Sequence, residues 1–153
     1  MRRSNSGISP VVATVILVAI AIVIAIAVAF WASGLVGIFT RFEKLEITAA
    51  VYDGDDVELL VRNTGSSPAT IDSVYVNGRP GATFQFITDG DELDVPANAT
   101  ACDTSTGLCD PGEYIVINIA NVDGTNEWVS GVTYEVAVHT ASGKLYPVAV
   151  LIP

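Results

Sequence analysis

From Ser4 to Thr40 the chain contains no Asp, Glu, Lys or Arg. A stretch this long without charge is foreign to the surface of a soluble domain, where charged side chains keep the chain in water. Histidine is nearly absent as well, with His139 the only one, and no H-E-x-x-H, G-x-S-x-G or P-loop pattern occurs anywhere. The usual signatures of hydrolytic and nucleotide-dependent catalysis are therefore missing, and no enzyme activity and no cofactor are expected. His139 itself lies in the alternating stretch Tyr134-Glu135-Val136-Ala137-Val138-His139-Thr140, an ordinary strand position rather than a catalytic base. There are two cysteines, too few for a structural zinc site, and their spacing is not the C-x-x-C of a redox centre. Basic residues number 7 against 17 acidic ones, a net charge of -10 that repels phosphate backbones and excludes nucleic acid as a partner.

The uncharged stretch is instead rich in Val, Ile, Ala and Leu. Every position from Val11 to Ala29 is one of these four or the single Thr14, so no polar stripe interrupts it. As a helix from Pro10 to Trp31 it would be about 33 Å long, close to the ~30 Å hydrocarbon thickness of a bilayer. A helix apolar on every side has to be surrounded on every side, by lipid or by other helices. Ser9 suits an N-cap, and Pro10 suits the first helical position, where its missing N–H costs nothing. The apolar character persists from Ala32 to Phe39, roughly 12 Å beyond what a bilayer requires. An ordinary anchor would turn polar there, whereas a filament core would not.

Small residues recur along this helix at every fourth position: Ala21, Ala25, Ala29, Ser33 and Gly37. Such small-xxx-small spacing lets helix backbones approach closely and gain van der Waals contact where lipid offers no hydrophobic driving force. Ahead of the helix stand Arg2 and Arg3 and then Ser4-Asn5-Ser6-Gly7. In a secretory signal the small-residue cleavage site follows the apolar run, and here it precedes it. Cleavage after Gly7 would discard the arginines and leave the helix on the mature chain, starting at Ile8.

Gly7-Ile8-Ser9-Pro10-Val11-Val12-Ala13-Thr14, continued by Val15-Ile16-Leu17-Val18-Ala19-Ile20, resembles the N-terminal segment of archaeal type IV pilins, whose precursors carry a class III signal peptide. Ser6 stands where that family often has a basic residue, and Val12 stands where a bacterial-type pilin would carry Glu. The resemblance implies that a membrane prepilin peptidase cuts between Gly7 and Ile8, and that assembly machinery moves the subunit from a membrane-embedded precursor pool into a helical homo-oligomer at the cell surface. The Ile-Ser-Pro-Val start matches an adhesive pilus subunit better than an archaellin-like motility filament.

After Thr40 the pattern changes. The mixed charges of Arg41-Phe42-Glu43-Lys44-Leu45-Glu46 are compatible with one or two further helical turns, and from there short alternating stretches take over. Strands are expected at 46–52, 57–63, 70–76, 83–87, 113–120, 132–140 and 144–151, separated by turns built on Gly, Asn and Asp such as Asn77-Gly78 and Asp123-Gly124. Seven strands at this spacing indicate an immunoglobulin-like β-sandwich. The fold class is then α+β: a signal peptide at 1–7, a hydrophobic helix at 8–45 and an all-β sandwich head at 46–153.

Within the head, Cys102 and Cys109 enclose a short polar loop, and in an exported domain a disulfide between them would contribute roughly 2–3 kcal/mol through chain entropy. Asn98-Ala99-Thr100 is an N-glycosylation acceptor pattern beside that loop. The acid-rich turns Asp53-Gly54-Asp55-Asp56 and Asp89-Gly90-Asp91-Glu92-Leu93-Asp94 raise calcium as a ligand, but the spacing is not that of an EF-hand, and solvated turns without metal are the expectation. Trp128, Tyr75, Tyr114, Tyr134, Tyr146, Phe84 and Phe86 are expected in the core or in contacts between subunits. The functional expectation is a structural pilus subunit, with a single-span anchored surface binding protein as its main rival and a secreted enzyme far behind.

Overall fold

The structure is a computed structural model that describes residues 8–124 and 127–153. The chain divides into two compact units after Arg41. The first contains helix α1, Ile8–Thr40, 33 residues and about 50 Å long. It has no acidic residue in its first turn and no basic residue in its last. The helix includes Ser9, so Ser9 does not cap it; Pro10 still falls in the first turn, where no intrahelical N–H is needed. Thr14, the one polar side chain between Val11 and Ala29, satisfies its hydroxyl within the helix by donating to the carbonyls of Pro10 (3.0 Å) and Val11 (2.8 Å). The helix stops at Thr40 rather than at 45, because the residues that follow make their hydrogen bonds to the second unit instead of to the helix.

The second unit is all β among the described residues. Its strands are β1 (Leu45–Tyr52), β2 (Val57–Asn63), β3 (Ala69–Val76), β4 (Arg79–Pro80), β5 (Thr83–Ile87), β6 (Leu108–Cys109), β7 (Tyr114–Asn121), β8 (Thr133–Thr140) and β9 (Leu145–Leu151). They pair antiparallel into two sheets, with order β1-β2-β7-β5 in one and β4-β3-β8-β9 in the other, β6 adding to β3. Lettered in chain order, with the two-residue β4 and β6 left out, these are the ABED and CFG sheets of an immunoglobulin-like sandwich, the second extended by β4. Two short pairings, β4 and β6, were not foreseen; at two residues each they carry no periodicity.

Alternation places Val57, Leu59 and Val61 of β2 and Ile115, Ile117 and Ile119 of β7 in a common core with Ile71, Val74 and Val76 of β3, Val136 and Val138 of β8, and Val150 of β9. Each fully buried aliphatic side chain contributes about 1.5–3 kcal/mol relative to exposure. Tyr134, second residue of β8, closes the turn from β7. Its hydroxyl accepts the Val129 N–H at 3.3 Å and its ring meets Trp128 edge-on at 5.0 Å, the tyrosine corner of this architecture. The β3–β4 turn has Asn77 and Gly78 at φ 50° and 75°, the paired positive values that a two-residue hairpin turn requires.

The outer faces of the two sheets differ. On the first, Glu58, Leu60 and Val116 point away from the core and are buried nonetheless. The long connection 88–107 lies over them, its 90–93 turn against Glu58 and its 100–102 stretch paired beside Tyr114. On the second sheet, Leu145, Pro147, Ala149 and Leu151 of β9 remain exposed.

Candidate assembly surface

On α1, taken as an element by itself, large apolar side chains are open near both ends and in the middle: Val11 is 62 % exposed, Val23 65 % and Phe39 76 %. The segment Ser9–Thr40 is long and apolar enough to cross a membrane, with a mean hydropathy of 3.3 over its most apolar 18 residues. Ala21, Ala25, Ala29 and Ser33 are all exposed, and Gly37 is half-buried. At four-residue spacing these positions advance about 40° each, so they form a line that winds slowly round the helix. Two of them, Ala29 and Ser33, line a shallow groove with Ile26 and Phe30. Among the described residues, a Cβ added at Gly34 or Gly37 would meet nothing within 4 Å, so no contact with them requires glycine at either position. The expected cleavage position Gly7 and the 1–7 segment lie outside the described residues, and Ile8 is the first residue of α1.

In the head, Cys102 and Cys109 form a disulfide, both cysteines buried. Their loop is ordered by Asp103, whose carboxylate accepts from the Ser105 N–H (2.9 Å), the Ser105 hydroxyl (2.6 Å) and the Thr106 hydroxyl (2.8 Å). These bonds from Ser105 and Thr106 hold the Asp103 carboxyl below its ordinary pKa. Asn98 is exposed in the turn closed by the Ala99 N–H on the Pro96 carbonyl at 2.8 Å.

The two acid-rich turns come together. Carboxylate oxygens of Asp53, Glu58 and Asp91 lie within 4.8 Å of one another. The second turn is more than a solvated loop: Glu58 accepts the backbone N–H groups of Asp91 (2.7 Å), Glu92 (3.0 Å) and Leu93 (2.8 Å). Asp53 in turn caps its own hairpin, accepting from the Asp55 and Asp56 N–H groups. At the base of the 89–94 turn, the Asp94 carboxyl beside Asp89 pushes the Asp89 pKa up, through their shared hydrogen bond and their like charge.

His139 occupies the strand position expected of it and adds a partner, with Nδ1 2.5 Å from Asp72 Oδ1 and the ring stacked on Tyr75 at 5.3 Å. Burial raises the Asp72 pKa, but the His139 and Ser73 hydrogen bonds and the His139 charge outweigh it and leave the carboxyl below its ordinary value. Of the aromatic residues, Trp128 and Tyr134 are core; Phe84, Phe86 and Tyr146 pack half-buried against it; Tyr114 lies under the Arg62 guanidinium at 5.2 Å.

Sequence reasoning missed two buried polar anchors. Glu58 is fully buried between Val57 and Leu59, and its signal was present: an acid set in the run Val57 to Val61, whose other four residues are all Val or Leu. Asn63, also fully buried, donates through Nδ2 to the carbonyls of Ser67 (2.9 Å) and Cys109 (2.8 Å) and accepts the Gly65 N–H at 2.9 Å. Its reach across 46 residues to Cys109 leaves no local trace in the sequence.

No protein-family model matches the chain, and no curated protein matches it either. Among solved structures the chain is similar to the archaellum periplasmic stator protein FlaG from Sulfolobus acidocaldarius, at 18 % identity and a TM-score of 0.44, over 71 % of this chain and 99 % of that one. A likeness of that size carries no argument about function.

Proposed function

We propose that this chain is the structural subunit of an archaeal type IV pilus that serves in surface adhesion, without catalytic activity. The observation that supports this reading is α1: 33 residues without a charge and apolar on every side, bearing a groove and glycines whose small size no contact among the described residues explains. In this reading a prepilin peptidase cuts between Gly7 and Ile8, and the helix rests in the membrane until assembly machinery extracts it. The apolar surface of α1 then exchanges lipid for the helices of other copies, and the small residues set how closely those helices approach. The sandwich heads form the outer layer, where an acidic surface keeps the fibre soluble. Asn98, in an exposed turn, is where a glycan would be attached, and the disulfide suits an oxidising exterior.

The test is to shear material from the cell surface, image it, and determine the mass of its subunit. The expected result is filaments whose subunit begins at Ile8. A subunit that retains Met1 and stays monomeric in detergent would replace this reading with that of an anchored surface protein.

A further inference from the structure

The three residues that open the second unit are bonded to it on two sides. The Phe42 carbonyl accepts the N–H groups of Ser66 (2.9 Å) and Ser67 (3.2 Å), and the Lys44 carbonyl accepts those of Thr64 (2.9 Å) and Gly65 (3.0 Å). The Phe42 N–H donates to the Ser66 hydroxyl at 3.1 Å. From the other side, the Glu43 carbonyl accepts Lys144 Nζ (2.9 Å) and the Tyr146 hydroxyl (3.3 Å), while Glu43 Oε1 accepts the Thr140 hydroxyl at 2.6 Å. Burial raises the Tyr146 pKa, and the Glu43 charge adds to it as the smaller cause.

These partners belong to different parts of the sandwich. Residues 64–67 form the turn that leads from β2 in the first sheet to β3 in the second, and Thr140, Lys144 and Tyr146 belong to the β8–β9 hairpin of the second sheet. Gly65 shows how tight the arrangement is. A Cβ there would stand 2.5 Å from the Phe42 carbonyl oxygen and 2.6 Å from the Lys44 nitrogen, both backbone atoms that no side-chain rotation can move away. Asn63 braces the same turn from below through Gly65 and Ser67.

We propose that residues 42–44 are a strap that delivers a pull arriving along the chain from α1 to both sheets at once. Without it, tension would enter at Leu45, the first residue of β1. That strand lies at the edge of its sheet, with a ladder to β2 alone, so it would be the first element to detach. With the strap, tension meets bonds to the β2–β3 turn and to the β8–β9 hairpin before it reaches β1, and the head resists as one body. A head that holds a surface against drag needs this property. It is independent of whether α1 ends in a fibre or in a bilayer.

The full chain in detergent tests the proposal in two ways. Under brief trypsin treatment, cleavage after Lys44, inside the strap, should be about tenfold or more slower than after Arg41 just before it. Stretched between tags at its two termini, the head should unfold in a single event. Gly65→Ala should open Lys44 to trypsin and introduce an early step of about 4 nm, the extended length of the roughly 12 residues through β1 and its hairpin. The double variant Lys144→Met, Tyr146→Phe removes only the two side-chain donors to the Glu43 carbonyl and covers the case in which Gly65→Ala does not fold; it should show the same early step. Equal cleavage after Lys44 and Arg41 in the unaltered chain, an early 4 nm step in that chain, or variants that stretch as it does would each overturn the strap.

Discussion

Helix α1 and the sandwich head are opposite solutions to the problem of folding one chain. The helix satisfies every backbone hydrogen bond along its middle by itself but leaves its apolar side chains without partners. The head buries its apolar side chains against one another and has no buried side-chain polar atom without a hydrogen bond among the described residues. Their charge follows the same division: none of the 17 acidic residues precedes Glu43. The head is thus complete as a folded object, and the helix is an object that other matter must complete. What covers the helix is a question about function. What holds the head is a question about stability, and substitutions in the two regions should fail in different ways.

The largest effect should come from enlarging one of the small residues of α1. Ala25→Leu adds bulk without polarity, so membrane insertion and head stability should be unchanged while filament yield falls by about tenfold or more, as counted in sheared material. Equal yield would deny the small residues any part in assembly and reduce the helix to a greasy rod.

A smaller and purely local loss is expected from Asn63→Ala in the head. The carbonyls of Ser67 and Cys109 and the Gly65 N–H lose a buried partner, a cost of about 2–4 kcal/mol readable in denaturant unfolding of the full chain. Insertion of α1 should not change. A shift in insertion as well would mean that helix and head are energetically coupled rather than separate.

The smallest effect concerns charge on the surface of the head. The Asp72 carboxyl sits below its ordinary value in the folded chain, so its pairing with His139 stabilises the head above that ordinary value and the contribution is lost as pH falls through the folded one. Asp72→Asn should therefore lower the Tm slightly at pH 5 to 6, with the difference vanishing in acid strong enough to protonate the carboxyl in the folded chain. Because the pair is exposed to solvent, added salt should shrink the difference further. A difference that grows on acidification would mean that the carboxyl is raised, not lowered, by folding.

Much of the fold was legible because it rests on periodicity. The expected strands 57–63 and 83–87 coincide with β2 and β5, and the other five long strands differ from expectation by a single residue at one or both ends. Alternation of Val, Ile and Leu with polar residues, punctuated by Gly, Asn and Asp, is a local signal and survives without tertiary knowledge. Cys102 and Cys109 were legible as a pair because the loop between them is short. The helix boundary was not, since Arg41 to Lys44 favour neither helix nor strand by composition. Their conformation was decided by the β2–β3 turn and the β8–β9 hairpin, which lie about twenty and about a hundred residues away.

By itself the sequence determined that one region would lack charge and the other would alternate, because hydrophobic burial acts through patterns a few residues long. Only the tertiary structure decided which sheet each strand joined, why Gly65 admits no side chain, and that an acid at position 58 would serve as an anchor for the turn at 90–93. Those outcomes depend on backbone donors and acceptors meeting across long loops, and a hydrogen bond of that kind leaves its mark on neither composition nor period.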